Sequence, residues 1–310
     1  MPARTFHHSA FSAERIAAER AQRGLGVSVC LPARECAGTV GEIVAALAEL
    51  RQEGAIDAIV VVDADSRDGT AQVAERAGAE VWQEAELLPS FGAVKGKGDA
   101  MWRALSRLDA ELVCFLDADT EGFSAHFATG LLGPLVCEPE VSFAKAFYRR
   151  PLAGASAAEV AAGEGGGRVN GLMARPALAL LYPELAEIRQ PLAGEVAARR
   201  ELLQRLPFAT GYGVETAMLI DAWREVGLEG IAQVDLDEHR NRHQPLRALE
   251  PMALTVLATT LSRAQRDGRA RLELPADALS HAPLERPPLA SLAEAAATGA
   301  VRGHGSEARR

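Results

Sequence analysis

The chain has 310 residues, 48% of them hydrophobic and 24% charged, so it carries enough apolar material for one large core or two fused ones and is not disordered as a whole. Its formal charge of -9 argues against broad binding to nucleic acid or to an anionic membrane surface, while leaving room for the local basic pocket that a phosphorylated substrate needs. Apolar runs such as Ile59 to Val62 and Val113 to Leu116 fall far short of the roughly 20 residues that cross a bilayer, so no membrane partner is expected.

Residues 1–25 are polar, then charged and Ala-rich, without the continuous apolar core of a secretory signal; a helical extension and a cytoplasmic location are expected. Cys30, Cys36, Cys114 and Cys137 have no C-x-x-C spacing, and two sit inside apolar runs, which implies neither a disulfide framework nor a zinc site. Val27 to Leu31 reads as a strand, and Thr39 with Glu42 three residues later as a capping box opening a helix through Leu50. Ala58 to Val62 is a β-branched strand closed by the polar cluster Asp63 to Asp68 and followed by a short Ala-rich helix. Then come a strand at Glu80 to Gln83, a helix at Lys97 to Leu108, a buried strand at Leu112 to Leu116 and another strand at Val141 to Tyr148. This alternation predicts an α/β fold, a mostly parallel sheet with helices on both faces and ligands at the C-terminal strand ends.

Beyond it, Ala153 to Gly167 is a small-residue linker or loop, with helical segments expected around Ala177 to Leu181 and Gly194 to Leu203. After Gly211-Tyr212-Gly213 the pattern predicts a helix at Val214 to Val226, a strand at Ile231 to Leu236 and a closing helix from Leu246 to about Arg266. From Leu274 onward Pro, Ala, Gly and charge dominate, and residues 274–310 are expected as an extended or disordered tail.

Asp117-Ala118-Asp119 carries the sharpest chemistry, because alternate residues just past a buried strand can send two carboxylates toward one hard cation and a diphosphate. A strand-end turn with helix-capping aspartates is the structural reading of the same residues. In Asp63 to Thr70, Asp68 and Thr70 fit a capping turn, whereas Asp63 is placed to contact a base or ribose. Gly96-Lys97-Gly98-Asp99 puts a lysine at a helix N-terminus, a good place for a phosphate, though its spacing is not that of a Walker A loop. Pro32-Ala33-Arg34-Glu35 after the first strand, in place of G-x-G-x-x-G, counts against a dinucleotide oxidoreductase. Gly163 to Asn170 is either a surface loop or a backbone nest with an arginine fork, and His239 and His243 are either surface histidines or a third metal ligand.

These pieces together resemble the retaining GT-A transferases that make glucosyl- and mannosyl-3-phosphoglycerate, glycosyltransferase family 81. The resemblance spans about residues 25–265 and rests on Gly96 to Trp102, the D-x-D, Ser142 to Leu152, Gly165 to Val169, Gln190 to Glu195 and Gly211 to Glu215. It implies a nucleotide-sugar half over 26–150 and a smaller acceptor half with the closing helix over 151–273. Pro32, Ala33, Arg34, Glu35, Asp63, Lys97, Asp117 and Ala118 would meet the donor, with Lys97 on its diphosphate and Asp117 facing its sugar or ribose. Asp119 would bind Mg²⁺ or Mn²⁺, Gly167, Arg168, Val169 and Asn170 would cradle 3-phosphoglycerate, and Glu215 would act with Asp117 near the reacting centre.

The chain departs from that family in three places. Cys36 stands where a base-contacting carboxylate is usual, so GDP-mannose is expected to serve at least as well as UDP-glucose, with Glu35 accepting from the guanine edge. Asn170 replaces a threonine. A gap-free alignment puts Asn241 on the metal histidine, flanked by His239 and His243, of which His243, nearer the following helix, is favoured. The expected function is therefore retaining hexosyl transfer to 3-phosphoglycerate by a homodimer, with a sugar-phosphate nucleotidyltransferase or a non-catalytic nucleotide-binding protein as the rivals.

Overall fold

Strands that are apolar on both sides decide the architecture. In the computed structural model, which describes residues 2–151, 167–240, 245–271, 273 and 283–297, Val29 and Leu31 enter one apolar cluster while Cys30 enters another on the opposite face. Val61 and its neighbours Val60 and Val62 divide in the same way. Such strands are stable only when helices cover both faces.

The strands are β1 (Arg4–His7), β2 (Val27–Ala33), β3 (Ala58–Asp63), β4 (Glu80–Gln83), β5 (Leu112–Phe115), β6 (Phe143–Arg149), β7 (Val196–Arg199), β8 (Phe208–Ala209), β9 (Ile231–Glu238) and β10 (Glu285–Arg286). Eight of them form one sheet in the order β1-β9-β6-β7-β5-β2-β3-β4, parallel except for β7, which runs antiparallel to β5 and β6; β8 and β10 pair separately. The helices are α1 (Ala13–Arg23), α2 (Val40–Gln52), α3 (Thr70–Ala77), α4 (Lys97–Leu105), α5 (His126–Cys137), α6 (Arg175–Leu181), α7 (Arg200–Arg205), α8 (Val214–Val226), α9 (Leu246–Arg266) and α10 (Leu289–Ala297). None among the described residues is long and apolar enough to cross a membrane.

The differences from the sequence reading have physical causes. Thr39 does not cap α2; its hydroxyl donates instead to the carbonyl of Ala118 at 2.6 Å, tying that helix start to the D-x-D. The helix expected over Gly194 to Leu203 opens as β7, because the slot between β5 and β6 overrides the helix preference of an Ala- and Arg-rich run. Within the expected N-terminal helical extension, Arg4–His7 is an edge strand on β9, a pairing set by residues more than 200 positions away. No element was expected over α5, which is buried nearly all round and so lacks an amphipathic period; Gly133 meets the ring of Phe11 there. Inside the expected tail, β10 and α10 pack on the core, while residues 274–282 and 298–310 lie outside the described residues.

Candidate functional site

Loops at the C-terminal strand ends open onto a cleft of about 1020 Å³. Pro32, Ala33, Arg34 and Glu35 after β2, Asp117, Ala118 and Asp119 after β5, Lys97, Glu215, and Gly167, Arg168, Val169 and Asn170 all line it. Asp63 does not: its carboxylate is buried, Oδ2 accepts from Ser66 N–H and Gln83 Nε2 at 3.2 Å each, and Oδ1 has no partner. Glu35 sits at φ +54, and its Oε1 accepts from the backbone N–H of Arg67 at 2.9 Å. That oxygen is therefore already engaged by the chain's own backbone.

Lys97 is the first residue of α4, held close to the Gly211 loop because Gly98 lies flat against the carbonyl of Ala209, where a Cβ would collide. Its Nζ donates to Asp117 Oδ1 and, at 3.2 Å, to Glu215 Oε1. Glu215 lies in the first turn of α8, where the helix dipole favours a carboxylate. Burial would lower the pKa of Lys97, but Asp117 and Glu215 outweigh it and hold the ammonium charged.

Behind this group, Asp117, Glu195 and His239 offer ligand atoms that all lie within 4.8 Å of one another. Glu195 precedes β7 and His239 follows β9, so the antiparallel insertion of β7 is what brings them together. His239 Nε2 lies 2.8 Å from Glu195 Oε1, out of hydrogen-bonding alignment, and 3.1 Å from Thr120 Oγ1; its ring stacks on Tyr148 at 4.5 Å. The Tyr148 hydroxyl donates to Glu195 Oε2 at 2.7 Å and accepts from Arg150 Nη2 at 3.0 Å. Burial would raise the pKa of Glu195, yet His239, Arg150 and Tyr148 hold it well below the usual carboxylate range. The His239 pKa is raised in turn: burial opposes its charge, and Glu195 prevails. Nearby Lys145 is pushed down to about 8 by burial and donates to the carbonyl of Ala193 at 2.8 Å.

These residues fit a divalent cation. Glu195 Oε1 and His239 Nδ1 are buried without a hydrogen-bond partner, and carboxylates with one imidazole suit Mn²⁺ or Mg²⁺. Asp119 stands on the open side of the same strand end, outside the compact set; desolvation in the cleft and the Asp117 carboxylate raise its pKa. His239 is thus the histidine seen in the site, and His243 lies outside the described residues. In the 167–170 segment Gly167 takes φ +80, and the Asn170 amide accepts from Leu192 N–H and donates to Arg189 O, both at 3.3 Å. Glu195 closes the Gln190 to Glu195 motif, and its signal in the sequence is a lone carboxylate entering an apolar run, Glu195-Val196-Ala197-Ala198.

Residues 28–127 match the glycosyl transferase family 2 model. A glucosyl-3-phosphoglycerate synthase of Petrotoga mobilis is 40% identical over 269 residues, covering 86% of this chain and 82% of its own. The crystal structure of mannosyl-3-phosphoglycerate synthase from Rubrobacter xylanophilus superposes with a TM-score of 0.85 at 42% identity, over 93% of this chain and 97% of that one. Glucosyl-3-phosphoglycerate synthase from Mycobacterium tuberculosis, in complex with Mn²⁺, UDP-glucose and phosphoglyceric acid, superposes with a TM-score of 0.80 at 35% identity, over 94% and 99%. With this identity and this fold likeness over nearly the whole length, the chain belongs to the glucosyl- and mannosyl-3-phosphoglycerate synthase family of metal-dependent GT-A glycosyltransferases.

Proposed function

We propose that this protein transfers glucose from UDP-glucose to the free hydroxyl of 3-phosphoglycerate with retention of the anomeric configuration. The carrying observation is Lys97, a charged donor held between Asp117 and Glu215 where the β2 loop and the 167–170 segment line one cleft. The bond from the anomeric carbon to the diphosphate breaks as the acceptor oxygen attacks from the same face, and the hydroxyl proton leaves with the departing phosphate oxygen. Lys97 takes the diphosphate charge, Glu215 orients the reacting sugar beside it, and Asp117 faces the sugar or ribose. Asp117, Glu195 and His239 offer the compact set that would hold Mn²⁺ or Mg²⁺, with Asp119 reaching the ion from the open side of the same strand end; when bound, the ion neutralises charge on the leaving diphosphate. Arg168 grips the acceptor phosphate through a charge-assisted fork.

UDP-glucose is preferred here to GDP-mannose because curated relatives such as the Petrotoga one are glucosyl-3-phosphoglycerate synthases. The Rubrobacter likeness keeps the mannosyl reading in play. Equal concentrations of UDP-glucose and GDP-mannose, with 3-phosphoglycerate and Mn²⁺, decide the matter by the sugar in the product. Glucosyl product that disappears with EDTA is expected; mannosyl product overturns the donor, and no product from either overturns the activity. We further propose a homodimer, with the exposed Leu172 and Leu180 as apolar surface for it to cover; a monomer by light scattering overturns this.

A further inference from the structure

Away from the cleft, a second set of metal-binding atoms converges at the sheet edge. β1 runs parallel to β9 with His7 opposite Asp235, so its end comes up beside Asp237. Asp237, the second-last residue of β9, takes φ +63, a left-handed conformation that a non-glycine residue adopts at a cost, with its N–H donating to Asp235 Oδ1 at 3.0 Å. Its carboxylate meets both histidines: His8 Nε2 lies 2.8 Å from Oδ2, and His7 Nε2 3.4 Å from Oδ1. One ligand atom from each of the three residues falls within 4.8 Å of the others.

We infer that His7, His8 and Asp237 form a binding site for a divalent transition metal of the Zn²⁺ or Co²⁺ kind, separate from the cleft. Two imidazoles and one carboxylate are a donor set these ions favour, whereas Mg²⁺ and Mn²⁺ suit oxygen-rich sites, so the two sites differ in preference. Both rings are braced from outside. His7 Nδ1 lies 2.8 Å from Ser9 Oγ and accepts from Ser9 N–H at 3.3 Å, contacts that fix the orientation of the ring. His8 packs on His126 at 4.2 Å between centroids, and His126 Nε2 bonds to Leu236 O at 3.2 Å. Arg149 Nη2, 3.8 Å from Asp237 Oδ1, is a competing cation, but its long side chain is 61% exposed and can move into water. A bound ion would staple the edge strand β1 to β9 two residues before His239. The competing account is a carboxylate that simply accepts hydrogen bonds from two rings.

The full chain, stripped of metal and then held in excess Mg²⁺, is titrated with Zn²⁺ by calorimetry, with Co²⁺ absorption reporting imidazole ligation. One equivalent of Zn²⁺ beyond what His7→Ala takes up is expected, with Tm rising by about 2–4 °C at a hundredfold excess over Kd. His7→Ala and Asp237→Asn should lose that equivalent and the Tm gain while keeping wild-type turnover, and asparagine tolerates the left-handed backbone. His239→Ala should keep both. Equal uptake in wild type and His7→Ala, or a Kd weaker than about 1 mM, overturns the site.

Discussion

At Gly194 the missing side chain does the positioning. A Cβ there would overlap the Asp117 carboxylate and come within 2.6 Å of Lys97 Nζ. Gly194 is not among the positive-φ glycines, so alanine is tolerated by the backbone and refused only by the site. Gly194→Ala is expected to fold with a Tm close to wild type and to lose on the order of 10²-fold in kcat, the scale of removing one electrostatic contact to a leaving group. Steady-state rates with a thermal melt test this, and wild-type turnover would show that the Lys97–Asp117 pair can part without harm. Arg168→Ala tests the opposite wall. Loss of a phosphate fork should raise the acceptor KM about tenfold or more with the donor KM nearly constant. Equal damage to both would make the 167–170 segment structural.

α4 is the element that carries Lys97, and a buried charge network anchors it. Asp99 Oδ2 accepts from the N–H of Lys95 at 2.9 Å; Oδ1 accepts from Arg103 Nε at 3.1 Å, and Arg286 donates to both oxygens at 2.8 and 2.6 Å. Burial would raise the Asp99 pKa, but Arg286 and Arg103 hold it below the ordinary 3.8. A depressed carboxylate contributes stability that is fully present above its unfolded pKa and is lost as pH falls through its folded one. Asp99→Asn leaves two buried guanidiniums facing no charge and is expected to cost about 3–5 kcal/mol at pH 7. The gap to wild type should close at pH values below 3.8, where Asp99 itself takes up a proton. Urea midpoints of both proteins from pH 7 to pH 3 check the sign; a constant gap would show that the carboxylate's charge is not what matters.

Across the whole molecule, residues 283–288 bind the back of the catalytic elements together. Leu284 O accepts from Thr210 N–H and Pro287 O from Trp102 Nε1, each at 2.8 Å, while Arg263 in α9 pairs with Glu285 at 2.7 Å. Because Arg286 and Asp99 form one network, Arg286→Ala should destabilise about as much as Asp99→Asn, and the double variant should lose far less than the sum. Additive losses in a denaturant double-mutant cycle would separate the two. Arg286→Ala should also raise the donor KM, since Lys97 rides on the helix it braces. None of this was legible in a Pro- and Ala-rich tail, whose β10 forms only because β8 lies beside it. Local pattern did determine the strand at Glu80–Gln83, the strand at Ile231 to Leu236 that the structure extends to Glu238, the helix at Val214–Val226 and the D-x-D at a strand end, because those depend on periodicities within a dozen residues. The convergence of His239 with Asp117 and Glu195 and the burial of Asp63 appear only in three dimensions. The meeting of Glu195 with His239 rests on β7 entering the sheet antiparallel between β5 and β6, and the burial of Asp63 on the neighbouring β4 that brings Gln83 to it; neither pairing is encoded by local propensity.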